Sequence, residues 1–86
     1  MAKFLVTVGI RHADNPTEEP TEWVVEVAAS SRSEFSKKNL GVIEGHVSDS
    51  LGRGWVTTGA RVLKRNEPRG SIEERLVLKK GKVSSG

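Results

Sequence analysis

Two histidines each lie close to an aspartate in the sequence, which is the pairing that general-base chemistry uses. Asp14 follows His12, and Asp49 follows His46. A carboxylate that orients an imidazole prepares it to take up a proton. Nothing places a nucleophile beside either pair, because the serines are explained by helix caps and turns. Two histidines far apart in the chain do not make a metal site. We therefore predict surface histidines, no enzymatic activity, and no cofactor or metal.

A glycine-rich stretch from Leu51 to Trp55, LGRGW, has some of the composition of a phosphate-binding loop. Phosphate loops need backbone amides that converge at the start of a helix. This stretch instead leads into a predicted strand. We interpret it as a helix stop followed by a turn, because glycine readily adopts the left-handed conformation that ends helices.

Basic residues are concentrated in the second half of the chain. Residues 1–43 carry five Lys and Arg against six Asp and Glu, whereas residues 44–86 carry nine against five. If the third and fourth predicted strands pair, a phosphate-binding surface would form, with Trp55 as a stacking surface. Its predicted contacts are Arg61, Lys64, Arg65, Arg69, Lys79 and Lys80. Interleaved glutamates weaken this field, so nucleic-acid binding is the alternative hypothesis.

Protein binding is the leading hypothesis, because small domains without a catalytic constellation most often act by contact. The loop from Ala13 to Pro20 is acidic and turn-prone, and it supplies Asp14, Glu18 and Glu19 as predicted protein contacts. An uncovered sheet face would add to this surface. The sequence thus favours a small non-enzymatic protein-binding accessory module. Homodimerisation through the uncovered face or an edge strand is the alternative within this class.

The segment from Ser30 to Leu51 is predicted to be the single helix. Ser31 and Glu34 fit a capping box at its start. Its apolar stripe consists of Phe35, Leu40, Ile43, Val47 and Leu51. Gly41 and Gly45 lie on one side, where a missing Cβ would let a neighbouring element approach closely. The alternative is a helix that ends near Leu40, followed by a short strand from Val42 to Val47.

Alternating apolar residues predict four strands, at Lys3 to Arg11, Glu22 to Ala29, Trp55 to Lys64 and Ile72 to Lys80. The order β-β-α-β-β predicts a single small α+β domain over residues 1–80, with one helix packed on a four-stranded, mostly antiparallel sheet. We expect the first strand between the second and third, the fourth outside the third, and the face opposite the helix open. Residues 81–86 are predicted to be a disordered tail.

The composition sets broad limits on the protein. A chain of 86 residues without cysteine makes one domain, excludes disulfides and thiolate metal sites, and is typical of the cytoplasm. No segment is apolar and long enough to cross a membrane, so we predict no membrane partner. No motif identifies a family. In its size and its lack of cysteine and catalytic signatures, the chain resembles small accessory proteins of bacteria and their phages.

Overall fold

The protein is a small α+β domain in the computed structural model, which describes residues 1–64, 67 and 70–86. Over these residues one α-helix packs on a five-stranded sheet. The elements are β1 (Ala2–His12), β2 (Thr21–Ala29), a 3₁₀ turn (Arg32–Glu34), α1 (Lys37–Leu51), β3 (Trp55–Val62), β4 (Ile72–Lys79) and β5 (Lys82–Ser85). The predicted fold class is confirmed, with five strands instead of four. No helix in the described part of the chain has the length and hydrophobicity to cross a bilayer.

The strand order in the sheet is β3-β1-β2-β4-β5. The predicted position of β1 between β2 and β3 is confirmed, and both pairs are antiparallel. The predicted position of β4 outside β3 is wrong, because β4 pairs in parallel with β2. At this position Leu76 lies opposite Val27 of β2, and both Leu76 and Leu78 are buried in the core. Burial of these two leucines explains why β4 lies beside β2 and not at the β3 edge.

Residues 82–85 form β5, so the prediction of a disordered tail from residue 81 is wrong. Lys80 and Gly81 both have positive φ angles, 54° and 74°, as a two-residue hairpin turn requires. The turn returns the chain along β4, with Lys82 opposite Lys79 and Ser85 opposite Leu76. Val83 packs against the core. A turn that accepts positive φ and one apolar side chain are enough to order this segment.

The helix begins later than predicted. The Ser36 hydroxyl accepts a hydrogen bond from the Asn39 backbone N–H at 3.2 Å and caps α1. Ser31 makes no side-chain capping bond, and Glu34 instead accepts from the Ser30 hydroxyl at 2.8 Å. The predicted capping box is therefore wrong, because the residues after it turn once as a 3₁₀ segment. Residues 42–47 are helical, as the preferred prediction had it.

The core lies between α1 and one face of the sheet. Its buried members are Val6, Val8, Ile10, Val25, Val27, Ala29, Ile43, Val47, Leu76 and Leu78. The four aromatic side chains, Phe4, Trp23, Phe35 and Trp55, pack at its margin. The rings of Phe4 and Phe35 meet edge to face, with centroids 5.1 Å apart. α1 therefore stays on the sheet through an apolar stripe that is continuous with β1, β2 and β4.

The face of the sheet opposite α1 carries no described helix, but three of its side chains are buried. Thr7, Val24 and Leu63 are buried there, with 4%, 2% and 7% of their surface exposed. Leu63 continues the β1 edge, because its backbone N–H donates to the Leu5 carbonyl at 2.8 Å. Among the described residues, Met1 is the large hydrophobic side chain that is exposed. The described part of this face therefore has no large exposed apolar patch.

Gly41 and Gly45 do not contact a neighbouring element, so the predicted close approach is wrong. A Cβ at either position would meet no other atom within 4 Å. Replacing both with alanine should raise the free energy of unfolding by about 1–2 kcal/mol, because alanine restricts the unfolded chain and favours helix. Equilibrium urea unfolding measures this change.

The matched control for this prediction is Gly52→Ala, at the end of the same helix. Gly52 has a φ of 87°, which alanine adopts only with strain, so this variant should lose about 1 kcal/mol. If the double variant were no more stable than the parent protein, the two glycines would have a packing role that their open surroundings do not show.

Candidate nucleic-acid interface

The strand directions bring several chain segments to one end of the sheet. β2, β3 and β4 point the same way, because β1 is antiparallel to β2 and to β3 while β4 is parallel to β2. Their carboxyl ends therefore lie at the same end as the start of β1, where Ala2 pairs with Ala29. α1 also begins here, since a Cβ at Gly81 would lie 3.5 Å from Asn39 Oδ1.

Basic side chains cluster at this end, which we call the basic end. It consists of Lys3, Arg32, Lys37, Lys38, Lys64, Lys79, Lys80 and Lys82. All of them are exposed. Two acidic side chains lie close to them in the sequence. Glu34 is bonded to the Ser30 hydroxyl, and Glu67 accepts a hydrogen bond from the Lys64 backbone N–H at 3.0 Å. This arrangement concentrates positive charge on one surface of a chain whose formal net charge is only +3.

Most cations of the basic end form no ion pair with the described residues. One exception is Lys3, whose Nζ lies 3.9 Å from Glu26 Oε1, longer than a good hydrogen bond. Two cations elsewhere are paired more closely, since Arg61 lies 2.9 Å from Glu67 and Arg75 lies 3.5 Å from Glu26. Arg11 and Arg53 form no ion pair with a described residue, but they are fewer than the unpaired cations of the basic end. The other seven cations of the basic end therefore contribute positive potential without a carboxylate partner among the described residues.

The first turn of α1 adds to this potential. A helix N-terminus carries a partial positive charge, and acidic residues are favoured there. The first turn of α1 has no acidic residue and begins instead with Lys37 and Lys38. Each lysine costs the helix about 0.3–1 kcal/mol at such a position. The two lysines therefore add their charges to the partial positive charge of the helix N-terminus.

Lys64, Lys79 and Lys80 of the predicted phosphate contacts lie in the basic end. The reason given for their convergence was wrong, because β3 and β4 are separated by β1 and β2. They share one end of the sheet because β3 and β4 point in the same direction. Sequence reasoning missed the other members of the cluster, which are Lys3, Arg32, Lys37, Lys38 and Lys82. Each of these lies near the end of an element, which is the signal that could have found them.

The predicted arginines do not join this cluster. Arg61 lies within β3, opposite Thr7, before this strand reaches the basic end. It pairs with Glu67 at 2.9 Å and with Glu22 at 3.8 Å. Hydrogen bonds from the Lys64 backbone N–H and from Arg61 hold the pKa of the Glu67 carboxyl below its ordinary value. Arg61 is therefore occupied within the protein. Arg65 and Arg69 lie outside the described residues.

His12 is an exposed surface histidine, as predicted, and its partner is Glu18 and not Asp14, which follows it in the sequence. Its Nδ1 lies 2.8 Å from Glu18 Oε2, and its backbone N–H donates to Glu18 Oε1 at 2.8 Å. Both hydrogen bonds lower the pKa of Glu18 below its ordinary value, and the one from the His12 backbone N–H has the larger effect. The ring stacks on Trp55 at a centroid distance of 4.1 Å. Trp55 begins β3, at the end of the sheet opposite the basic end, so it is not positioned to stack a base there.

The three predicted protein contacts differ in how accessible they are to a partner. Asp14 and Glu19 are exposed, whereas Glu18 is partly buried and bound to His12. The start of the acidic loop is also hydrogen-bonded to the residue before β3, since the Ala13 N–H donates to the Gly54 carbonyl at 2.9 Å. A partner would therefore meet fewer available carboxylates than the sequence indicated.

His46 is partly buried, so the prediction of a surface histidine is wrong here, and its partner is not Asp49. Its Nε2 lies 2.8 Å from Glu74 Oε1 of β4, in a partly buried contact. This pair connects α1 to β4, which explains a histidine on the inner side of the helix. Among the described residues, no group of three or more His, Asp or Glu side chains could hold a metal ion.

Two concave surfaces are present in the described part of the protein. One, of about 400 Å³, lies at the β1–β3 bulge and is lined by Thr7, Gly9, Glu22, Thr58 and Arg61 among others. Its charged groups, Arg61 and Glu22, face each other 3.8 Å apart and leave little net charge for a ligand. The second, of about 340 Å³, lies within the basic end.

A scan of protein-family models and searches of curated proteins and of solved structures found no match to the chain.

Proposed function

We propose that the protein binds nucleic acid at the basic end and works by contact, without catalysing a reaction. The observation that carries this proposal is the convergence of exposed cations at one end of the sheet, most of them without an ion pair among the described residues. Backbone phosphates are the partners that such a surface attracts. The same proposal places the protein in the cytoplasm, which a chain without cysteine fits.

The protein-contact hypothesis has less support from the geometry. On the sheet face that a partner protein would contact, the side chains of Thr7, Val24 and Leu63 are buried. In the acidic loop, Glu18 is hydrogen-bonded to His12. The basic end, in contrast, has gained members beyond those expected from the sequence. We therefore rank nucleic-acid binding first and protein binding second.

Fluorescence anisotropy with labelled single-stranded DNA, RNA and duplex DNA tests this function at several salt concentrations. We expect binding at low salt. The slope of the logarithm of the binding constant against the logarithm of the salt concentration then reports the number of phosphates contacted. The triple variant K38Q/K79Q/K82Q removes three cations of the basic end. Its slope on single strands should be lower by about 2, since each phosphate contact contributes roughly 0.7.

The control is the double variant R11Q/R53Q, because these arginines lie outside the basic end and form no ion pair with a described residue. It should bind nearly as tightly as the parent protein. An equal loss of affinity for each charge removed in the two variants would show that only net charge matters. If none of the nucleic acids binds even at low salt, the proposed function is wrong.

A further inference from the structure

The cleft within the basic end arises from the unequal lengths of two neighbouring strands. β1 extends back to Ala2 along β2, whereas the ladder between β1 and β3 stops where Val62 lies opposite Val6. The bond from Leu63 to Leu5 is the next one along this edge. Beyond it the start of β1 has β2 on one side and, among the described residues, a notch on the other. The 3₁₀ turn that follows β2 brings Arg32 to the same notch.

The cleft combines apolar and basic lining residues. Its apolar lining residues are Phe4, Leu5 and Leu63, and its exposed basic ones, which we call the rim cations, are Lys3, Arg32 and Lys64. The edge-to-face contact with Phe35 holds the Phe4 ring in place. Aromatic and aliphatic surfaces beside cations accept a base on one part of a ligand and its phosphate on another.

The rim cations are available to an anion. Glu26, the carboxylate near Lys3, is shared with Arg75, whose Nε lies closer, at 3.5 Å against 3.9 Å. Arg32 and Lys64 form no ion pair with any described residue. An arginine fork binds two phosphate oxygens at once, and lysine adds a mobile point charge.

The volume of the cleft is compatible with a small ligand. The cleft measures about 340 Å³, near the lower limit of about 300 Å³ for ligand cavities. We propose that this cleft binds a single nucleotide unit, with its phosphate on Lys3, Arg32 and Lys64 and its base on Phe4, Leu5 and Leu63. This inference rests on the proposed nucleic-acid binding and adds a defined subsite to it. The unit is either a free nucleotide or one nucleotide of a single strand.

Titrations followed by ¹⁵N–¹H NMR distinguish these two sources and locate the site. The probes are AMP and a single-stranded hexanucleotide with or without a 5′ phosphate. Binding should shift the amide signals of Lys3, Phe4, Leu5, Leu63 and Lys64 with at least one probe. Saturable shifts with AMP indicate a free nucleotide. Shifts only with the hexanucleotides indicate a strand, and tighter binding of the phosphorylated one indicates its end.

The decisive comparison is between two charge-matched double variants. R32Q/K64Q removes two rim cations, and K37Q/K38Q removes two cations of the basic end outside the cleft. We expect affinity for the bound probe to fall about tenfold or more in the first, and clearly less in the second. The dispersion of the NMR spectra shows whether each variant is folded.

Three outcomes separate this inference from the proposed function. If the hexanucleotides bind but the two variants lose affinity equally, the cleft is not a subsite and the proposed function stands. If AMP binds in the cleft while every longer nucleic acid fails to bind, the cleft is confirmed and the polymer-binding function is wrong. If neither AMP nor a hexanucleotide shifts the cleft amides, the inference is wrong.

Discussion

Replacing Ile43 with alanine should lower the free energy of unfolding by about 3–4 kcal/mol. Ile43 is the largest fully buried side chain of α1, with 0% of its surface exposed, and it lies in the core between the helix and the sheet. Truncating a buried isoleucine loses its transfer free energy and leaves a cavity, at a combined cost of about 2–5 kcal/mol. The upper half of that range applies because strands on one side and the helix on the other restrict collapse of the cavity.

A loss of this size is a large part of the total stability. Domains of this length are stabilised by roughly 5–10 kcal/mol, so the variant should keep only about 1–7 kcal/mol of its stability. Urea unfolding monitored by circular dichroism measures the difference. Ile43→Val should lose only about 1 kcal/mol, because a single methylene is removed.

The matched control is Ile72→Ala, which makes the same chemical change at the start of β4. Ile72 is only partly buried, so its loss should cost about 1 kcal/mol, in proportion to the smaller area that it removes from water. If Ile43→Ala cost no more than Ile72→Ala, α1 would not be packed on the sheet through Ile43.

Removing residues 82–86 should destabilise the protein by about 2–4 kcal/mol. The truncation deletes β5 and with it the hydrogen bonds to β4, where Leu76 pairs with Ser85 and Leu78 with Val83. Each backbone bond contributes roughly 0.5–1.5 kcal/mol net, and the apolar contact of Val83 is lost as well. Leu78, now 1% exposed, would face solvent along a bare strand edge.

Chemical unfolding and hydrogen exchange both measure this effect. The amides of β4 should exchange faster in the truncated chain, and the bare edge should make it more prone to aggregate. Val83→Ser in the full chain is the control, because it keeps the backbone pairing and removes only the apolar contact. A truncated chain as stable as the full one would mean that residues 82–86 contribute nothing to the fold.

The local elements were largely predictable from the sequence. Strand alternation placed β1, β2, β3 and β4 within a few residues, since period-two burial is a property of a single segment. The helical pattern through residues 42–47 was confirmed in the same way. The boundaries were less accurate, because the caps at Ser31 and Ser36 depend on hydrogen bonds between side chain and backbone that several serines could make.

The missed fifth strand shows why a short segment is difficult to predict alone. Lys82–Ser85 has one large apolar residue, Val83, which is too few for a periodic signal. Lys80 and Gly81 nevertheless form the two-residue turn that returns the chain along β4. This segment is a strand because β4 offers it a partner, and that partner is tertiary.

The sequence by itself determined which groups this protein can use: many lysines and arginines, two histidines, no cysteine, and enough alternating apolar residues for one α+β domain. Only the tertiary structure decided which of them meet. Glu18 and Glu74 are the partners of the two histidines, and β4 lies beside β2 and not beside β3 as predicted. The physical reason is that burial of Leu76 and Leu78 is non-local and selects the strand order. The strand directions then bring cations from both ends of the chain to one surface.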